Sequence, residues 1–180
     1  SLLKRIIFCL YYKDGFFYIS RNFRLQKVGN VEWLIKNFGF GQTSNYVDEI
    51  IIILVKKKPN SYDFEDFFKN IFKLRKNIFI PITLGGGIRD LKTTKQFFDN
   101  GADKILVNTL TYKKKEIVEE IASLYGAQAI CVMVDYKKGV EQYELYSNCG
   151  TYLESIGFKE HIESLNSISC GEIILNSIDN

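Results

Sequence analysis

Three consecutive glycines, Gly85-Gly86-Gly87, close one short apolar run, and Asn108-Thr109 close the next. Backbone N–H groups without a neighbouring Cβ can approach an anion closely, and a side-chain amide and hydroxyl can donate to the same ion. Together Gly85, Gly86, Gly87, Asn108 and Thr109 predict a phosphate site. A tight turn alone would account for the glycines; the Asn-Thr pair favours the anion.

Other chemistry is thinly supplied. The single histidine, His161, falls in a helix-like stretch and is expected to be a surface or half-buried helix residue, not a base. Four cysteines (Cys9, Cys131, Cys149 and Cys170) are scattered without a CxxC, which reads as reduced thiols in a cytoplasmic protein. Serine-triad catalysis and histidine-rich metal sites are thereby excluded, and neither metal nor cofactor is expected. Lys and Arg exceed Asp and Glu by only three, so no nucleic-acid partner is implied. Lys56-Lys57-Lys58 and Lys113-Lys114-Lys115 read as solvated strand-end and helix-start charges, the first set able to attract a phosphorylated ligand. No apolar run approaches the roughly 20 residues of a membrane span, and the N-terminus lacks signal-peptide organisation.

These groups need a frame. Strands are predicted at Arg5–Leu10, Glu49–Val55, Ile78–Leu84, Lys104–Val107, Gln128–Asp135 and Glu172–Leu175, rich in Ile and Val and nearly continuous in apolarity. Helices are predicted at Val31–Asn45, Tyr62–Lys76, Leu91–Asn100, Lys113–Tyr125 and Phe158–Ser167, with a small hairpin at Val140–Tyr146. The alternation implies βαβ units and a parallel sheet in one domain over residues 1–180. A doubly wound open sheet should carry its glycine-rich turn after the first strand, yet that strand ends in Tyr11-Tyr12-Lys13-Asp14-Gly15. Internal repetition favours a barrel. Val47-Asp48-Glu49-Ile50, Ala102-Asp103-Lys104-Ile105 and Cys170-Gly171-Glu172-Ile173 precede alternate strands, and Tyr11–Gly15 lines up with Asp135-Tyr136-Lys137-Lys138-Gly139 four strands later. On these residues part of an α/β (β/α)8 barrel, represented by six strands, is favoured over the open doubly wound sheet.

Charges mark the other end of those strands. Arg5, Glu49, Lys104 and Glu172 each stand at or near a strand start. In a parallel barrel the starts converge on one face, where two cations and two anions can form a mutually neutralising ring.

Lys4–Leu10, Gly85–Arg89, Gly101–Lys104, Val107–Thr109 and Gly171–Asp179 resemble, in order and almost without gaps, the cyclase subunit of imidazole glycerol phosphate synthase. The resemblance implies a TIM barrel that takes ammonia from a glutaminase partner and cyclises a phosphorylated ribonucleotide in histidine biosynthesis. It implies that the four-charge ring is the ammonia gate, with Asp48 and Asp103 facing the docked partner. It assigns the glycine turn, Asn108 and Thr109 to one of two phosphate sites, and adds Ser177 and Asp179 to the substrate-binding set. It makes Asp135 one of two catalytic aspartates; Tyr11 stands where the other is expected. Leu54 and Ile19 replace an aspartate at the end of the second strand and a lysine of a mobile loop after the first. Tyrosine is a poor base near neutral pH, and losing one positioned acid–base group costs roughly 10²- to 10⁴-fold in rate.

The resulting expectation is a barrel that docks a glutaminase and receives its ammonia, with weakened cyclisation of its own. Relatives of that kind are associated with surface-sugar pathways in which ammonia goes to a sugar amidotransferase. Two alternatives stand beside it: an active cyclase of histidine biosynthesis, and a non-catalytic, truncated interaction protein. The family barrel has two further βα units, seven and eight, absent from this chain; six strands alone would leave open edges and are expected to dimerise or aggregate.

Overall fold

A computed structural model describes residues 4–21, 24–37 and 47–178. Six strands form its parallel core: β1 (Ile7–Lys13), β4 (Glu49–Leu54), β5 (Ile82–Gly85), β6 (Lys104–Val107), β7 (Ile130–Lys138) and β10 (Glu172–Ser177). They pair in that order, each parallel to the next. This is the succession of neighbouring strands in a (β/α)8 barrel. Among the described residues the sheet is not closed: β10 pairs only with β7, and β1 gains a second partner only from Tyr11 onward.

Helices cover one face of this sheet: α1 (Val31–Asn37), α2 (Ser61–Arg75), α3 (Leu91–Asp99), the single turn α4 (Leu110–Lys113), α5 (Lys115–Tyr125) and α6 (Phe158–Leu165). The apolar spacing of α2 turns Phe64, Phe67, Phe68, Ile71 and Leu74 onto the sheet. Its start is set by a capping box between Asn60 and Asp63.

Period-two alternation sorts each strand between two hydrophobic clusters. On β4, Ile50, Ile52 and Leu54 join the large cluster under the helices, while Ile51 and Ile53 join a smaller one with Leu106, Cys131 and Met133. Cys9, Tyr11 and Ile174 pack against that second cluster. It fills the inner face of the sheet, so both faces are apolar, as the near-continuous strand sequences require.

Two antiparallel hairpins extend the parallel strands. The expected one is present, β7 pairing with β8 (Tyr143–Ser147), and β9 (Tyr152–Leu153) adds to it. The other lies after β1, where β2 (Phe16–Arg21) and β3 (Arg24–Gly29) replace the anticipated loop. Asp14 and Gly15 carry φ of +47° and +86° between the paired Lys13 and Phe16. A two-residue turn with both residues left-handed is the Asp-Gly hairpin signal, unread in the sequence. Ile19 therefore stands on β2, packed against the outer cluster.

Boundaries shift for identifiable reasons. The third parallel strand begins at Ile82, not Ile78, because Pro81 has no N–H for the ladder. The predicted 113–125 helix is α5, which starts only at Lys115: Lys113 ends the preceding turn α4, and Lys114 between them has the non-helical φ of −144° and ψ of 61°. The first helix runs to Asn37, and the rest of its expected span lies outside the described residues. His161 is 1% exposed rather than at the surface; its ring stacks on Tyr112 at 4.1 Å and 11°. Among the described residues, no helix is long and apolar enough to cross a membrane.

Candidate functional site

The strand starts bring Arg5, Glu49, Lys104 and Glu172 together. Arg5 Nη2 pairs with Glu49, Arg5 Nη1 lies 3.1 Å from Glu172 Oε1, Lys104 Nζ lies 3.3 Å from the same oxygen, and Lys104 Nζ lies 3.7 Å from Glu49 Oε2. Each cation therefore touches both anions and each anion both cations, a closed ring of alternating sign. Burial pushes the Glu172 carboxyl up, but Arg5 and Lys104 outweigh it and hold it below the usual range. Desolvation works against the Lys104 ammonium, and Glu49 and Glu172 overcome it and raise its pKa. Glu49 is the buried member, with 4% of its side chain exposed against 47% for Arg5. Its second oxygen accepts from Thr83 Oγ1 at 2.5 Å. Sequence reading missed Thr83; the signal was a polar residue two before Gly85, on the inner-facing register of a short apolar strand.

Asp48 and Asp103 are exposed beside the ring, and each has a local task. Asp48 Oδ2 accepts from Ile6 N at 2.7 Å, and Asp103 Oδ2 from Ile82 N at 2.8 Å. Their own N–H groups return to the same residues' carbonyls, and Gly171 N likewise donates to Ile130 O. The thrice-repeated sequence pattern is thus one device: it ties the start of an even-numbered parallel strand to the strand before it.

At the opposite ends of the strands lies a cavity of about 310 Å³ lined by Tyr11, Ile53, Met133, Asp135, Lys137, Cys149, Asn176 and Ser177, among others. Asp135 is buried and held at both oxygens. Asn108 Nδ2 donates to Oδ2 at 3.0 Å, and Asn176 Nδ2 to Oδ1 at 2.8 Å. Desolvation raises the Asp135 pKa, and the two amides only partly offset it. Burial, then Cys9 and the Asp135 charge, push the Tyr11 phenol well above its ordinary value. A neutral phenol beside one carboxylate can bind and orient polar groups, but it leaves a single proton shuttle near neutral pH. Asn176 was also missed as a site residue, although it too is a polar residue on an inward register.

Not every predicted residue converges here. Gly85, Gly86, Gly87 and Thr109 do not line the cavity. Gly86 has φ +102°, and a Cβ there would meet Leu54 O at 2.2 Å, so close packing against the end of β4 by itself demands glycine. Thr109 Oγ1 is engaged with Asn148. Leu54 faces the outer cluster, so it takes nothing from the cavity. Of the departures noted in the sequence, only Tyr11 lies in the site. Asp179 lies outside the described residues.

Comparison with known proteins bears on this geometry. Residues 50–180 match the family model described as histidine biosynthesis protein. A protein provisionally named imidazole glycerol phosphate synthase subunit hisF2, from Parasynechococcus marenigrum (strain WH8102), is 39% identical over 98% of this chain and 65% of its own length. Imidazole glycerol phosphate synthase subunit HisF of Chlorobium limicola (strain DSM 245 / NBRC 103803 / 6330) is 31% identical over 99% of this chain and 69% of its own. The HisF subunit of Chlorobium phaeovibrioides (strain DSM 265 / 1930) is likewise 31% identical over 99% and 69%. The chain thus spans about two thirds of the length of these relatives. With parallel strands in barrel order, it belongs to the histidine biosynthesis protein family and covers part of that family's TIM barrel.

Proposed function

We propose that this chain is the barrel subunit of a cytoplasmic, glutamine-dependent complex, receiving ammonia at the ringed face and passing it to the cavity at Asp135. A glutaminase subunit docks over the strand starts, near Asp48 and Asp103. The nitrogen crosses the ring and the inner cluster, and a phosphorylated ligand is held near Asn108, Thr109 and Ser177. Cyclisation in the chain itself is weak, because Tyr11 supplies no second carboxylate, and the ammonia goes on to a sugar amidotransferase. The observation that carries this reading is the ring: the charges that open β4, β6 and β10, with Arg5 two residues before β1, satisfy one another at one end of the sheet. Charges that merely capped strands would have no need to meet.

The experiment is titration of a cognate glutaminase with this chain, following glutamine hydrolysis and complex formation by gel filtration. Stimulated hydrolysis supports the reading, whereas no complex and no stimulation leave only a non-catalytic interaction protein. Turnover of the phosphoribosyl substrate with free ammonia provides the second arm. Turnover at the level of a two-aspartate cyclase would replace the proposal with an active enzyme of histidine biosynthesis, the reading that the family description favours.

A further inference from the structure

Thr109 is held by the turn that joins β8 to β9. Asn148 N donates to Thr109 Oγ1 at 3.4 Å, and that hydroxyl lies 3.5 Å from Asn148 Oδ1 as its donor. Both are long, and so weak. The same turn reaches over the cavity. Cys149 Sγ donates to Lys56 O, just beyond β4, at 3.5 Å, and a Cβ on Gly150 would stand 3.1 Å from Ile178 Cδ1, just beyond β10. Cys149 and Gly150 both line the cavity that contains Asp135.

The backbone of this turn is unusual. Asn148, Cys149 and Gly150 have φ of +49°, +58° and +74°, so two successive non-glycine residues occupy the left-handed region. Its base is firm: Thr151 Oγ1 donates to Asn148 O at 2.6 Å, and Ser147 Oγ to Glu154 Oε1 at 2.7 Å. A disfavoured tip on a firm base, fastened by weak contacts to residues of three parallel-strand ends, is poised between two positions.

We propose that the Asn148–Gly150 turn is a latch that competes with a bound anion for Thr109. With the latch down, the Thr109 hydroxyl is taken by Asn148, while Cys149 stays exposed at the rim of the cavity. An anion arriving at Asn108 and Thr109 displaces Asn148 and frees the Cys149 thiol from Lys56 O, so anion binding and release of the turn are one coupled equilibrium. This rests on the anion site proposed above, not on the glutaminase.

The test uses the whole chain and inorganic phosphate. Affinity is measured by equilibrium dialysis for the native protein, Asn148→Ala and Thr109→Val, with urea unfolding to verify that both variants fold. Separately, the rate of maleimide labelling at Cys149 is followed by mass spectrometry with and without phosphate, with Cys149→Ser as the blank. Asn148→Ala deletes one contact and puts alanine where it resists a left-handed φ, so phosphate should bind about five- to tenfold more tightly. In the native chain, phosphate should speed Cys149 labelling several-fold. If Thr109→Val loses binding while Asn148→Ala leaves it unchanged or weaker, the anion site stands and the latch is overturned. Labelling slowed by phosphate also overturns it, since the turn would then close over the ion. Undiminished binding by Thr109→Val, or no binding by any form, removes the anion site and the latch together.

Discussion

Tyr11 and Asp135 occupy the same station on two parallel strands four apart. Each is the residue at which its strand first pairs with the antiparallel strand that follows, Tyr11 with Tyr18 and Asp135 with Tyr146. Both point inward and both line the upper cavity. The two stations are therefore equivalent in backbone and differ in chemistry, which makes Tyr11 the informative position.

If Tyr11 is the main chemical deficit, Tyr11→Asp should raise turnover of the phosphoribosyl substrate with free ammonia by about 10²-fold or more. The ring, Asn108 and Thr109 would be untouched. A Tyr11→Asp variant that stays inert would place the deficit elsewhere in the site.

The clamp on Asp135 gives a spectroscopic prediction. Asn108→Ala and Asn176→Ala each remove a hydrogen bond that favours the carboxylate, and each should raise the Asp135 pKa further above its ordinary value. A carboxyl ¹³C titration of the three proteins reads this directly. Unchanged midpoints would mean that the amides position the group without tuning it.

Within the ring, the cost of truncation should follow burial. Glu49→Ala leaves Lys104, Arg5 and the Thr83 hydroxyl short of an acceptor at a buried position, a loss of about 2–3 kcal/mol. Arg5→Ala removes a half-exposed partner and should cost no more than about 1 kcal/mol. Urea denaturation ranks them, and the reverse order would refute the assignment of Glu49 as the anchor.

His161 gives the fold a pH dependence. Burial, aided by Lys115, lowers its pKa to about 4, and neither ring nitrogen has a hydrogen-bond partner. Unfolded, the imidazole titrates near 6.5. Between those values the unfolded chain binds a proton that the native state refuses. Stability contributed by the neutral ring is thus complete above about pH 6.5 and lost as pH falls towards 4, by about 2–3 kcal/mol. His161→Phe, which preserves stacking on Tyr112, should flatten that part of the pH–stability curve relative to the native protein.

Gly86→Ala should be among the most damaging single changes. It combines a φ of +102° with a methyl 2.2 Å from Leu54 O, and a loss of more than about 3 kcal/mol or failure to fold is expected. Near-native stability in urea would contradict the packing at the end of β4.

Much of this was legible in the sequence because repetition and strand periodicity are local signals. The pattern around Asp48, Asp103 and Gly171 marked strand starts; position at those starts in a parallel barrel brought Arg5, Glu49, Lys104 and Glu172 to one face, and their signs made a ring. What stayed hidden was direction. Leu54 and Ile19 read as lost site residues, but their registers turn them to the helix-covered side. Thr109 read as a free donor because its partner, Asn148, is far away in sequence and reaches it only through the β8–β9 turn. His161 read as a surface or half-buried residue, and not as fully buried, because a polar side chain on an amphipathic helix usually keeps contact with water.

Between the charged collar and Asp135 lies a layer of hydrocarbon and sulfur: Ile51, Ile53, Leu106, Met133, Cys131, Cys9 and Ile174. Burial pushes the thiols of Cys9 and Cys131 up to about 11, so at neutral pH they carry no charge. Such a medium solvates ions badly, and ammonium would cross it far less readily than its conjugate base. A nitrogen crossing this layer, as proposed, would have to leave its extra hydrogen ion behind first, so the same hydrocarbon that fills the inner face would act as a filter by dielectric.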